Sequence, residues 1–248
     1  MNPPLSIIIP VLNEADQLDR LLPTLAFQSG VEVIVVDGGS ADGSLGRIRN
    51  YPSVRLVHAA QGRGVQLNRG AEVATGNVLW FLHADSSPEP DWLENILIAL
   101  EEPHIVAGCF RLRFDEEHWL LKVFSFFSRW NHPLVTYGDQ GYFMKRSTFE
   151  AIGGFKDYPI LEDLEIQCRL RRRGQWRKLP ISLTTSARRF TTVGILRQQL
   201  KNILIVSLFL AGTSPFWLSR FYKPQCQLKP AAQSASLKPT ALKVEVSK

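Results

Sequence analysis

The chain has 248 residues, 45% of them apolar and 21% charged, enough to bury a sizeable core and too ordinary a mixture for a disordered or fibrous protein. A formal net charge of +6 and a pI near 9.4 favour an acidic partner, whether a nucleoside diphosphate, a nucleic acid or an anionic membrane surface, without choosing among them. Cys109, Cys168 and Cys226 are odd in number, widely spaced and without a Cys-x-x-Cys pair, which speaks against a disulfide framework or a structural zinc and suits a reducing compartment.

The opening segment has no basic stretch and reaches Pro10 and Glu14 too early for a signal peptide. Leu5 to Ile9 reads as a buried strand that Pro10 ends, and Asn13-Glu14 opens a helix with Leu18, Leu21, Leu22 and Leu25 on its apolar face. Val31 to Val36 is a second, β-branched strand, running into the Gly- and Asp-rich turn Asp37 to Ser44. A helix from about Ser44 to Asn50 and a strand Val54 to Val57 follow. Gly62 to Ala74 begins as a glycine loop and turns helical, and Val78 to Leu82 is a fully buried central strand. Strands alternating with helices through short connections predict a parallel sheet with right-handed crossovers.

His83-Ala84-Asp85 then stands just past the carboxyl end of that central strand, where open α/β sheets bind ligands. Pro88 and Pro90 predict a turn, with Asp91 capping a helix Trp92 to Leu100. Ile105 to Phe114 reads as a strand on which Val106, Phe110 and Leu112 share the inner face. Trp119 to Trp130 is more apolar than a surface helix should be; Tyr142 to Lys145 predicts a short strand, Leu161 to Arg173 a helix, Leu179 to Thr185 a last strand and Ile195 to Leu210 a helix. From Pro224 the sequence is poor in aromatics and predicts a disordered tail.

Several strand ends and helix starts carry groups that one ligand could use. Asp37 and Gly38 offer carboxylate oxygens and close backbone approach; Arg63 and Asn68 beside a helix start would suit a diphosphate. Glu162, Asp163 and Glu165 in one first turn are favoured by the helix dipole, and one of them on a rigid start could be a general base. Arg188 and Arg189 add two cations after the last strand. Each piece alone has a plainer reading as a turn, a cap or a solvated helix face.

Together, Pro10 to Glu14, Val35 to Ser44, Phe81 to Asp85, Gly153-Gly154-Phe155 and Glu162-Asp163 resemble the family 2 glycosyltransferases in order and spacing, over about residues 5 to 190. Gly138-Asp139-Gln140-Gly141 and the Ser186 to Arg189 segment further resemble a small bacterial subgroup of short, single-domain members. The resemblance implies an α/β protein of GT-A fold: a mixed, mostly parallel nucleotide-binding sheet flanked by helices, with acceptor-side helices at the carboxyl end. The expected domain is 1–223, its nucleotide-binding part about 1–100 and its acceptor part about 101–223, with 224–248 as tail. It also implies inverting transfer of a sugar from a nucleotide donor to an acceptor hydroxyl.

By the same resemblance, Pro10, Asn13, Glu14, Asp37, Gly38 and Ala84 belong to the nucleotide side with Arg63 and Asn68. Asp85 stands at the last carboxylate of the metal-binding Asp-x-Asp motif and Asp163 at the catalytic base, with Glu162 beside it. His83 replaces the first carboxylate of that motif; imidazole accepts manganese and suits magnesium poorly, so the implied divalent cation is Mn2+ or Mg2+ with its identity open. Asp139 is either a turn residue or, with Gln140, an acceptor or diphosphate contact, as Arg188 and Arg189 would be.

The expected partners are a UDP- or GDP-sugar and an unspecified acceptor, with no nucleic acid. The longest uncharged apolar run, Ile203 to Gly212, is about half a membrane span, so the expected location is cytoplasmic. Trp119 to Trp130 and Ile195 to Tyr222 mix aromatics with cations, suiting a peripheral contact at the inner face of a membrane, packing on the sheet, or a homodimer. Three rivals belong to other classes. A nucleotidyltransferase would carry a glycine-rich cationic loop where Pro10 to Glu14 stands; a carboxylate-pair glycoside hydrolase would not need the basic residues; a nucleic-acid binder would explain the pI but shows no recognition motif. A catalytically inactive binder of sugar nucleotides is disfavoured by the presence of both Asp85 and Asp163.

Overall fold

The computed structural model describes residues 3–222; the tail expected from Pro224, and Cys226, lie outside them. Strands β1 (Leu5–Val11), β2 (Val31–Asp37), β3 (Val54–His58) and β4 (Val78–Phe81) alternate with helices α1 (Ala15–Leu25), α2 (Ser44–Arg49) and α3 (Arg63–Val73). The short β5 (Ser86–Pro88) leads to α4 (Trp92–Glu101), β6 (Ile105–Phe114), α5 (Trp119–Phe127), β7 (Tyr142–Lys145) and α6 (Arg146–Ala151). After α7 (Glu162–Arg171) and β8 (Gln175–Thr185) come α8 (Arg188–Val193), α9 (Ile195–Leu210) and α10 (Pro215–Leu218).

The strands form one sheet in the order β3-β2-β1-β4-β7-β6-β8-β5. The pairs β2–β3, β1–β2, β1–β4 and β6–β8 are parallel, and β4–β7, β6–β7 and β5–β8 antiparallel. The sheet is thus mixed and mostly parallel, as expected. Helices cover both faces, so the central strands are apolar on both sides: Ile7, Ile9 and Trp80 pack with Leu18 and Leu22 of α1, while Ile8, Ile34 and Phe81 pack with Leu67 of α3 and Phe155.

Several expectations are corrected. Pro10 does not end β1: it pairs with Val36, and the strand runs to Val11. Leu82 N–H donates to Ile8 O, so even residues of β1 face β4, whose pairing stops at Phe81. The amide that Pro10 lacks falls where the ladder has already ended, and nothing is lost. Asp91 stands before α4 with φ 62° and its side chain makes no cap bond. A register shift between Ile105 and Ala107 turns Val106 onto the face opposite Phe110. The last strand begins at Gln175, four residues before Leu179, because Trp176 to Lys178 pair with Ala107 to Cys109.

Candidate active site

The carboxyl ends of β1 and β2 are laced together. Asn13 N–H donates to Ser40 Oγ (2.9 Å) and Ala41 N–H to Asn13 Oδ1 (2.8 Å). Glu14 N–H donates to Ser44 Oγ (3.0 Å) and Ala15 N–H to Asp42 Oδ2 (3.1 Å). Gly38 N–H continues the ladder to Val11 O (2.9 Å). Asp37 is buried, which alone would raise its pKa, but the Ser40 hydroxyl and then the Gly39 and Ser40 amides hold it below the ordinary carboxylate value. Its oxygens therefore shape the turn first. Pro10 pairs with Val36 in this unit, and Ala84, with 5% exposure, lies beside Asp85.

Beside this unit a cleft of about 390 Å³ is lined by Asn13, Glu14, Asp42, Arg47 and Arg188. Arg188 Nη2 reaches Glu14 Oε2 at 3.4 Å, joining the carboxyl-terminal part of the chain to the end of β1. Burial pushes Glu14 up to about 7, Arg188 opposing and Asp85 adding to the rise. A second hollow of about 210 Å³ borders Asp85 with Ala84, Ser87, Asp115 and Thr185.

The catalytic candidates converge at the start of α7. Leu161 precedes it in the left-handed region (φ 64°), a costly conformation for a branched-chain residue and typical of functional turns. Asp163 Oδ2 accepts from Gly138 N–H at 2.6 Å and Oδ1 from Leu164 N–H at 2.8 Å. Two amides thus fix the orientation of this carboxylate at the helix start. Glu162 is 2% exposed, with Oε1 3.2 Å from Arg63 Nη1. Glu165 is committed elsewhere, to Arg169 (2.6 Å) and Lys156 (3.0 Å). Partial desolvation works against the charge of Arg63, yet Glu162, Asp163, Tyr222 and Asp85 more than restore it.

Asp139 lies next to Gly138, half-buried, its Oδ1 shielded from water without a hydrogen-bond partner among the described residues. Burial, then the charges of Asp163 and Asp85, push it up to about 7 against the pull of Arg63 and Lys178. His83 goes the other way, to about 3, through burial and the positive Arg63, which leaves a neutral imidazole. Arg189 lies 4.0 Å over the ring of Tyr222, and burial lowers its pKa.

Three of the expected site residues are engaged with other parts of the chain. Asn68 closes both ends of its amide on Phe155, Nδ2 to the carbonyl (2.8 Å) and Oδ1 from the N–H (2.9 Å). Gln140 is fully buried, donating to Val135 O (2.8 Å) and accepting from Lys178. Glu162 serves as the counter-ion of Arg63. Two residues escaped sequence reasoning. Gln66, buried in α3, donates to Val11 O (2.9 Å) and Val36 O (2.8 Å), tying the ends of β1 and β2. Arg169 donates to Gly154 O (2.7 Å) and pins the Gly153-Gly154 turn. Only its i, i+4 spacing to Glu165 was visible beforehand.

Among the described residues no group of three or more His, Cys, Asp or Glu side chains forms a ready metal cage. The donors nonetheless fit a divalent cation that takes few protein ligands and fills its shell from substrate phosphates. Asp85 offers hard oxygen and His83 a neutral nitrogen, and the Asp139 oxygen is shielded without a hydrogen-bond partner among the described residues.

The family model for glycosyl transferase family 2 matches residues 6–174. Among curated proteins, the uncharacterized glycosyltransferase YibD of Escherichia coli (strain K12) is 39% identical over 113 residues, covering 42% of this chain and 33% of that protein. The PGL/p-HBAD biosynthesis glycosyltransferase of Mycobacterium bovis (strain BCG / Pasteur 1173P2) is 36% identical over 129 residues, 47% of this chain and 50% of that protein. The chain thus spans a third to a half of these relatives' length. Among solved structures, the mannosyltransferase PcManGT from Pyrobaculum calidifontis, in complex with GDP-Man and Mn2+, superposes with TM-score 0.66 at 23% identity, covering 87% of this chain and 67% of that one. S. aureus TarS 1-349 in complex with UDP-GlcNAc gives 0.63 at 16% identity, over 89% and 70%. These likenesses establish the GT-A fold.

Proposed function

The chain belongs to glycosyl transferase family 2, and from that premise we propose that it transfers a sugar, with inversion, from a nucleoside diphosphate donor to an acceptor hydroxyl. The observation that carries the reading is the Asp163 carboxylate, held by the amides of Gly138 and Leu164 at a helix start and adjoining the charge cluster of Arg63, Asp85 and Asp139. Its fixed position and carboxylate chemistry suit it to take the proton of the acceptor hydroxyl as that oxygen attacks the sugar carbon. A single in-line displacement then inverts the anomeric centre.

Negative charge builds on the departing diphosphate, and Arg63, Arg188 and Arg189 are the cations of this chain disposed to offset it. Asp85 and His83 would hold the divalent cation, whose chemistry is Lewis-acid stabilisation of the leaving group. The laced β1–β2 ends, with Glu14 and Asp37, form the nucleoside side. The donor class is supported by the GDP-Man and UDP-GlcNAc that PcManGT and TarS hold, and either base suits this seat.

The test is Asp163→Asn. It should retain calorimetric binding of the preferred nucleotide within about twofold and lose transfer by about 100-fold or more, the range of a general base. Wild-type turnover in that variant would remove Asp163 from the role.

A further inference from the structure

Helices α5 and α9 are amphipathic the wrong way round for a protein surrounded only by water. On α9, Leu196, Leu200, Ile203, Leu204 and Leu210 recur at one-turn spacing and are all exposed, whereas Gln198 is buried with Ile205 and Val206. On α5, Trp119, Val123, Phe126 and Trp130 form a like stripe just past and along the helix, and Leu121 alone is buried. Exposure reaches 68% at Trp119, 55% at Trp130 and 59% at Leu200, Leu204 and Phe216. The two helices pack on each other, α10 packs on α9, and the rings of Phe124 and Phe190 tie α5 to α8. The stripes are therefore neighbours, and a sum of such side chains exceeds the scattered apolar exposure of an ordinary surface.

We infer that this α5–α9–α10 face docks on an anionic lipid bilayer, lying in the headgroup region. Charge selects the occupant. From Ser186 to Tyr222, the stretch that holds α8, α9 and α10, the sequence has five Lys and Arg and no Asp or Glu, and Arg129, Arg197 and Arg220 are exposed around the apolar stripes. A second copy meeting this face about a twofold axis would set these cations against themselves; anionic headgroups neutralise them instead. Tryptophan and phenylalanine at the rim, Trp119, Trp130, Phe216, Trp217 and Phe221, suit the boundary between headgroups and acyl chains. Among the described residues no helix is long and apolar enough to cross a membrane, and α9, with 16 residues, would lie in the interface plane. Phe221 of this face adjoins Tyr222, whose ring carries Arg189, so a bilayer there borders the candidate active site on the side of Arg189.

This inference does not depend on the reaction proposed above. The experiment is flotation of the full chain with vesicles of phosphatidylcholine alone or mixed with phosphatidylglycerol. It is repeated with Leu200→Glu/Leu204→Glu and with Arg197→Glu/Arg220→Glu. The wild type should float with the anionic vesicles and be released when salt rises from about 0.1 M to about 1 M, which shortens the screening length from about 10 Å to about 3 Å. Each double variant should lose vesicle binding by about 10-fold or more while keeping its melting temperature and nucleotide titration. All four substituted positions are exposed, and if one pair unfolds the other decides by the same criterion. Wild type left unbound by anionic vesicles, or both variants floating as well as wild type, overturns the inference. So does a wild-type dimer that fails to float and that Leu200→Glu/Leu204→Glu converts to monomer.

Discussion

Gly138→Ala tests whether Asp163 acts from one fixed position. A β-carbon at 138 would stand 3.0 Å from both Cβ and Oδ2 of Asp163, whereas such contacts settle near about 3.5 Å. Either the turn or the carboxylate must retreat by about half an ångström, stretching the 2.6 Å bond from Gly138 N–H. Hydrogen bonds to charged groups contribute about 1.5–3 kcal/mol. Partial loss with crowding should cost about 1–2 kcal/mol of stability, or about 2–8 °C in melting temperature. Catalysis should suffer more: a misplacement near 1 Å costs about 100-fold, so about 10-fold is expected in kcat, with the donor KM unchanged. The assay is release of nucleoside diphosphate from the preferred donor, alongside thermal melts and nucleotide titration. A folded variant with wild-type kcat would refute the view that Gly138 is glycine in order to seat Asp163.

Gln66→Leu should leave Val11 O and Val36 O without their shared amide and lower stability by about 1–3 kcal/mol in urea unfolding. Glu14 and Asp139, ordinarily near 4.5 and 3.8, both rise to about 7 in the folded chain. The folded state then binds more protons than the unfolded one, so the stability these groups contribute is complete below their unfolded values and is lost as pH rises through about 7. Asp139→Asn should flatten that fall; thermal melts in which stability climbs over the same window, or an unchanged slope in the variant, would contradict it. Asp85→Ala should weaken manganese-dependent nucleotide binding by about 10-fold or more, read by calorimetry with UDP and GDP with and without the metal.

The parallel half of the sheet was legible because Leu5 to Ile9, Val33 to Val36 and Val78 to Leu82 are buried on both faces, and these strands are written as near-continuous apolar runs broken only by Ser6 and Glu32. What escaped was set by distant partners. β5 is three residues long and pairs with Leu183 to Thr185, about as far along the chain as a small domain is long, so no local pattern announces it. The start of β8 carries Gln175, Arg177 and Lys178, and its strand character comes from the neighbouring β6. At the site, Asp85 was flagged by its place just past a strand end, where open α/β sheets gather chemistry, and Asp163 by its place in a helix first turn together with the family resemblance. Whether a polar residue faces a ligand or the scaffold is decided by its partner, as with Asn68 on Phe155 and Gln140 on Lys178, and sequence spacing does not carry that. Gln66 was invisible for the same reason: its carbonyl partners lie 55 and 30 residues away.

The four bonds that lace Asn13, Glu14 and Ala15 to Ser40, Ala41, Asp42 and Ser44 bear on timing as well as shape. Ordering a loop residue costs about 1–2 kcal/mol in backbone entropy. Here that cost is met when the chain folds, before any ligand arrives, so a nucleotide bound there, as proposed, would find little left to freeze. The amides of Ala15 and Ala41 should accordingly resist hydrogen exchange in the free protein almost as well as in the nucleotide complex, and affinity should be limited by desolvation and charge rather than by loop closure.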